Sequence, residues 1–90
     1  MSEARLPARL TTSEAPDTLQ SLRRALAAQP AGDFTVDAGG LSSFDSSAVA
    51  LLLELRRDAQ RAGRALNVTN WPPRLRELVA AYGVQELLPA

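Results

Sequence analysis

Apolar positions change their period repeatedly along the chain, and each change marks an element. Leu6, Ala8 and Leu10 alternate with other residues across positions 5–12, the two-residue period of a strand with one buried face. Pro7 lacks an N–H, which predicts an edge strand rather than a central one. Beyond the polar link Ser13 to Pro16, Leu19, Leu22 and Leu26 recur at helical spacing with Ala25 beside them, while Gln20, Arg23 and Arg24 face away. This predicts a helix over residues 17–29, capped by Asp17, with Gln20 completing a variant capping box and Pro30-Ala31-Gly32 ending the pattern.

Phe34, Val36 and Ala38 alternate with Thr35 and Asp37, a second strand held between Gly32 and the Gly39-Gly40 pair. That pair reads as a turn, because neither a Lys-Ser/Thr nor a third glycine follows at the spacing of a phosphate loop. From Ser47 to Ala62, Ala48, Leu52, Leu55, Ala59 and Ala62 share one helix face, and Val49, Leu51 and Leu53 widen it. So broad an apolar surface predicts contact on more than one side, with Arg57, Arg61 and Arg64 forming a solvated stripe opposite. Gly63 closes this helix, and Leu66 and Val68 point inward from a strand over residues 65–69.

Asn70-Trp71-Pro72-Pro73 opens a last helix with Leu75, Leu78 and Val79 as its inner stripe. Tyr82-Gly83-Val84 predicts a Schellman ending, and Leu87-Leu88-Pro89 is apolar enough to pack behind it. Strands alternating with helices predict an α/β fold: a small mixed sheet of about four strands, three main helices, parallel pairing and right-handed crossovers.

Composition narrows what such a fold can do. At 90 residues the chain is expected to form one domain spanning residues 1–90. A formal net charge of zero removes the electrostatic support for a nucleic-acid partner. Every basic residue is Arg, which reads as coding bias in a GC-rich genome. The absence of Cys and His removes the usual thiolate and imidazole chemistry, so no metal or cofactor is expected. Met1-Ser2-Glu3-Ala4-Arg5 lacks a signal-peptide core and the apolar run Ala48 to Leu53 is too short to span a bilayer, so the expected location is the cytoplasm without membrane insertion.

The chemistry gathers at Leu41-Ser42-Ser43-Phe44-Asp45-Ser46-Ser47, a polar loop running into the most apolar helix. Asp45, Ser46 and Ser47 are N-cap residue types, and the free amides and dipole of a helix start also favour an anion, including a phosphate on one of these serines. Ser46 therefore reads either as a plain cap or as a regulatory, phosphorylatable hydroxyl. Asp45 either caps the helix or pairs with an Arg of a partner. Trp71, in its proline-bound loop, is either a core plug or an exposed anchor. A serine nucleophile needs a base, and the absence of both His and Lys argues against an enzyme.

Three features together resemble STAS domains, the fold of bacterial anti-sigma factor antagonists and of related transporter regulators. They are Phe44-Asp45-Ser46-Ser47-Ala48 with the apolar run that follows, the passage from Arg57 through Gly63 into the strand Leu66 to Thr69, and the ending Leu78 to Pro89. Within the family the likeness is to MlaB-like members, small cytoplasmic subunits of the ABC transporter that moves phospholipids across the Gram-negative envelope. Two departures stand out: a short N-terminal part that lacks a full first hairpin, and Ala48 where many phosphorylated antagonists carry glycine.

The resemblance implies a non-enzymatic accessory subunit that binds the ATPase of a phospholipid ABC transporter, together with its permease, and sits peripheral to the inner membrane through that partner. It makes Ser46 the regulatory position, and the local chemistry of the helix start with the adjoining last helix places the expected interface at Asp45, Ser46, Ser47, Val49, Trp71 and Arg74. Its alternative is an anti-sigma factor antagonist whose Ser46 is phosphorylated by an anti-sigma factor kinase. The short first strand leaves a sheet edge that predicts a homodimer of the isolated chain.

Overall fold

Parallel strand pairs set the frame on which the helices hang. The structure, a computed structural model, describes residues 4–29 and 31–88. Its elements are β1 (Ala4–Arg5), β2 (Arg9–Leu10), α1 (Ala15–Ala28), β3 (Phe34–Asp37), β4 (Ser43–Phe44), α2 (Ser46–Arg61), β5 (Leu66–Thr69) and α3 (Pro73–Ala81). One sheet has the order β1-β3-β5 and a second pairs β2 with β4. Every described pair is parallel, with Val36 opposite both Ala4 and Val68. The expected α/β class and three helices are present; the strands divide into two ladders instead of forming one mixed sheet.

Pro7 explains the division. The predicted strand over 5–12 breaks there into β1 and β2: Leu6 still donates to the Asp37 carbonyl at 2.9 Å, and the next ladder contacts are those of β2 with β4. Leu6 and Leu10 are buried as expected, whereas Ala8 is exposed, because the break resets the alternation between them. Instead of a first hairpin, the N-terminal part supplies one outer strand to each ladder.

The core gathers Leu10, Phe34, Val36, Leu52, Leu55 and Leu75, all essentially removed from solvent. Burying each large apolar side chain contributes about 1.5–3 kcal/mol, upper values that chain entropy opposes. The breadth of the α2 face follows from its neighbours: the helix packs against α1, α3 and β5. Ala62, assigned to that face, is exposed, since it follows the last helical residue and serves as the C-cap. Both α2 and α3 end in Schellman geometry, with Gly63 and Gly83 at φ +71 and +70. In α3, Val84 N–H donates to the Val79 carbonyl at 3.2 Å and Gly83 N–H to Ala80 at 3.0 Å. Leu88 is buried behind this turn; Pro30 and Pro89 of the predicted ends, and Met1 to Glu3, lie outside the described residues.

Gly39 is required by space. A Cβ there would stand 3.0 Å from Asp37 Oδ1 and 3.1 Å from the Asn70 Cβ, inside the corner where the ends of β3 and β5 meet. Asp37 Oδ1 accepts from both Gly39 N–H and Asn70 Nδ2, so the crowded atoms are tied in place. Gly39→Ala is expected to cost roughly 1–3 kcal/mol, as overpacking does, read as a lower urea midpoint at unchanged slope.

Candidate functional site

The β2–β4 ladder brings the starts of α1 and α2 side by side. Its register sets Leu10 against Phe44, and the next amide, Asp45 N–H, donates to the Leu10 carbonyl at 3.4 Å. Residues 43–44, part of the predicted polar loop, are therefore strand β4. From its end, Asp45 turns the chain into α2 in extended conformation and caps it, Oδ1 accepting from Ser47 N–H at 2.8 Å.

The second Asp45 oxygen crosses to the other helix start, accepting from Thr12 N–H at 3.4 Å. Alongside it, the Thr12 and Ser47 hydroxyls lie 3.0 Å apart. These contacts hold the loop before α1 against the first turn of α2. Hydrogen bonding to the Ser47 amide is the main cause that holds the Asp45 carboxyl below the usual carboxylate range, so it is ionised at neutral pH.

On the α1 side, Thr11-Thr12-Ser13-Glu14 forms a turn, closed by its own side chains, that leads into the helix. Glu14 Oε1 accepts from Thr11 N–H at 2.9 Å and from its hydroxyl at 2.6 Å, while the Thr11 carbonyl receives Glu14 and Ala15 N–H. α1 consequently begins at Ala15, before the predicted Asp17; Asp17 lies in the first turn, where its charge complements the dipole, and caps nothing. Arg9 completes the arrangement at 3.1 Å from Glu14 Oε2. The Thr11 hydrogen bonds dominate in lowering the Glu14 pKa to about 2.

A carboxylate with a depressed folded pKa stabilises above its unfolded value, and that stabilisation is lost as pH falls through the folded one. For Glu14 the window runs from 4.5 down to about 2. Thermal melts of the wild type should therefore drop more steeply across that window than those of Glu14→Gln; parallel curves would remove Glu14 as the cause.

Ser46 is the first residue of α2 and is exposed. Among the described residues its hydroxyl has no hydrogen-bond partner, since the cap is Asp45 and the cross-link to Thr12 is Ser47. The Arg74 guanidinium at the start of α3 lies 5.6 Å from the Phe44 ring centroid, which sets a cation beside the strand leading into the loop. An exposed, unbonded hydroxyl next in the chain to a fixed carboxylate can accept a partner's donor or a covalent phosphate without dismantling the cap.

A family model described as Mlab, STAS domain, matches residues 4–89. The chain belongs to the MlaB-like STAS family. Among solved structures this STAS domain resembles an anti-sigma-factor antagonist (STAS) domain protein from Planctomyces limnophilus, with TM-score 0.77 and 18% identity, covering 93% of this chain and 75% of that one. At that identity the likeness is one of fold. No curated protein sequence matches this STAS domain.

Of the predicted site residues, the STAS domain brings Asp45, Ser46 and Ser47 together at the start of α2 and sets Arg74 beside the neighbouring Phe44. Val49 is 4% exposed and belongs to the core, so it has no surface to offer a partner. Trp71 is half-buried against the core and its indole N–H donates to the Val68 carbonyl at 3.0 Å, fixing the turn from β5 to α3. Thr12 belongs to the candidate site by its contacts with Asp45 and Ser47 and was not among the residues expected there. Its signal was the Thr-x-x-Glu pattern at 11–14, which places Thr12 in a helix-start turn but says nothing of α2.

Arg23 and Arg64 are corrected as well. Arg23, predicted to face away, donates to Asp58 of α2 at 2.6 Å. Arg64, assigned to the solvated stripe, reaches across to the end of α1, donating to the carbonyls of Leu26, Gln29 and Gly32. Arg57 and Arg61 do lie on the exposed side, paired with Glu54 and Asp58.

Proposed function

We propose that this STAS domain is a non-enzymatic accessory subunit that docks, through the exposed start of α2, on the cytoplasmic ATPase of a phospholipid-trafficking ABC transporter. The single observation that carries the reading is the match to the MlaB-like family model across residues 4–89, with the free hydroxyl of Ser46 at the site. Asp45, Ser46 and Ser47 form the centre of the interface and Arg74 its flank. Trp71 supports it from behind, and Val49 holds the helix to the core. Such a subunit reaches the inner membrane only through its partner; among the described residues no helix is long and apolar enough to cross a membrane.

A second reading rests on the structural neighbour, an anti-sigma-factor antagonist (STAS) domain protein. In that case a kinase would phosphorylate Ser46, adding about two negative charges at a helix start that tolerates them while blocking the contact surface. Purifying the tagged chain from its own host separates the two. Recovery of an ABC ATPase with its permease supports the transporter subunit. Recovery of a small anti-sigma factor kinase, with phosphate on Ser46, moves the assignment to sigma-factor control.

A further inference from the structure

Next to the Ser46 loop, the N-terminal halves of α1 and α2 flank an open groove of about 530 Å³, within the size range of binding clefts. Ala15, Pro16, Leu19, Ala50 and Leu51 form its apolar walls. Thr12 and Ser47, the two hydroxyls that join the helix starts, also line it, so the groove is continuous with the proposed docking site.

Its charge is one-sided. Asp17 and Glu54 line the groove and no Arg does. Glu54 is already answered by Arg57 at 3.1 Å and Arg23 at 3.5 Å. Asp17 has no ion pair among the described residues, and Asp45, bound to the Thr12 amide, spends its charge on backbone N–H groups. The cleft therefore joins an apolar floor to a carboxylate that no side-chain cation pairs among the described residues. The small side chains of Ala15 and Ala50 leave room for the side chains of an incoming segment.

We propose that this groove receives an amphipathic segment of the docking partner, its apolar face laid on Leu19 and Ala50 and an Arg or Lys reaching Asp17. The inference rests on the transporter reading for the partner's identity and adds to it what the partner must present. The groove would give the interface apolar area that the polar loop at Ser46 lacks, and the Asp17 contact would set its register.

The test uses the full chain and the purified ATPase–permease complex of the same host. Asp17→Arg and Ala50→Gln both lie at exposed helix positions, and circular dichroism melts confirm that each variant folds. Each should weaken binding by about ten-fold or more, and the Asp17→Arg effect should shrink in high salt. A photo-cross-linker at Gln20, also on the groove, should capture a partner peptide with an apolar face and an Arg or Lys. If the wild type binds and Ser46→Arg does not, yet both groove variants bind normally, the groove inference falls and the docking reading stands. A captured peptide without a basic residue overturns the assigned occupant. Failure of the wild type to bind the complex overturns both.

Discussion

Ser46→Arg is expected to abolish stable retention of the ATPase complex while leaving the fold intact. The fold is insensitive because Ser46 is exposed and its hydroxyl is unbonded; the Asp45 cap and the Thr12–Ser47 contact remain. The remaining cost is a cation at a helix N-terminus, about 0.3–1 kcal/mol, which is a small shift in melting midpoint. The interface is sensitive because a long charged side chain at the centre of a contact patch must either desolvate or hold the partner away. Central interface positions are worth about 2–4 kcal/mol, or roughly 30- to 1000-fold in Kd. Equilibrium binding to the ATPase–permease complex, read beside a thermal melt, checks it. Unchanged affinity would remove the start of α2 from the interface, and lost affinity with a lost melt would assign Ser46 a folding role.

Arg64→Ala should produce the largest loss of stability expected of a residue outside the apolar core. One guanidinium closes the end of α1: Nε donates to the Gly32 carbonyl at 2.7 Å, and Nη1 to those of Leu26 and Gln29 at 2.9 and 3.0 Å. Gln29 N–H also turns back on Ala25 and Leu26, so the helix end is satisfied partly by its own chain and partly by a residue beyond α2. Hydrogen bonds to charged groups contribute about 1.5–3 kcal/mol each and are not additive within one side chain, so truncation should cost roughly 2–4 kcal/mol. For a domain of this size that lowers the melting midpoint by roughly 10–20 °C. The loss is moderated because Arg64 Nη2 is itself buried without a partner. Arg64→Lys should recover only part of it, since an ammonium lacks the planar fork that spans these carbonyls. A full recovery by Lys would show that charge at the helix end, and not the fork, is what matters.

The elements that were legible in the chain are those whose signals lie within a few residues. α2 could be read from its helical period and from Asp45, whose cap needs only the amide of Ser47. The Schellman end of α3 could be read because glycine answers a local backbone demand at Gly83. At the start of α1 two local patterns competed, Thr11 to Glu14 and Asp17 to Gln20, and the former prevailed because Glu14 receives Thr11 and Arg9 together. β4 left no trace, since two residues cannot display a period, and it exists because β2 lies beside it.

By itself, then, the sequence determined the α/β alternation, the three helices, the apolar faces and the loop where function concentrates, because period, capping and turn chemistry act over a single turn or strand. Only the tertiary structure decided what those local pieces became for one another. Thr12 meets Ser47 across a separation of 35 residues, Arg64 reaches Leu26 across 38, and Val49 is claimed by the core. Such contacts follow from where the chain has already been placed by β2–β4 pairing and helix packing, and no repeat or spacing within the chain encodes a distance between segments that meet only after folding.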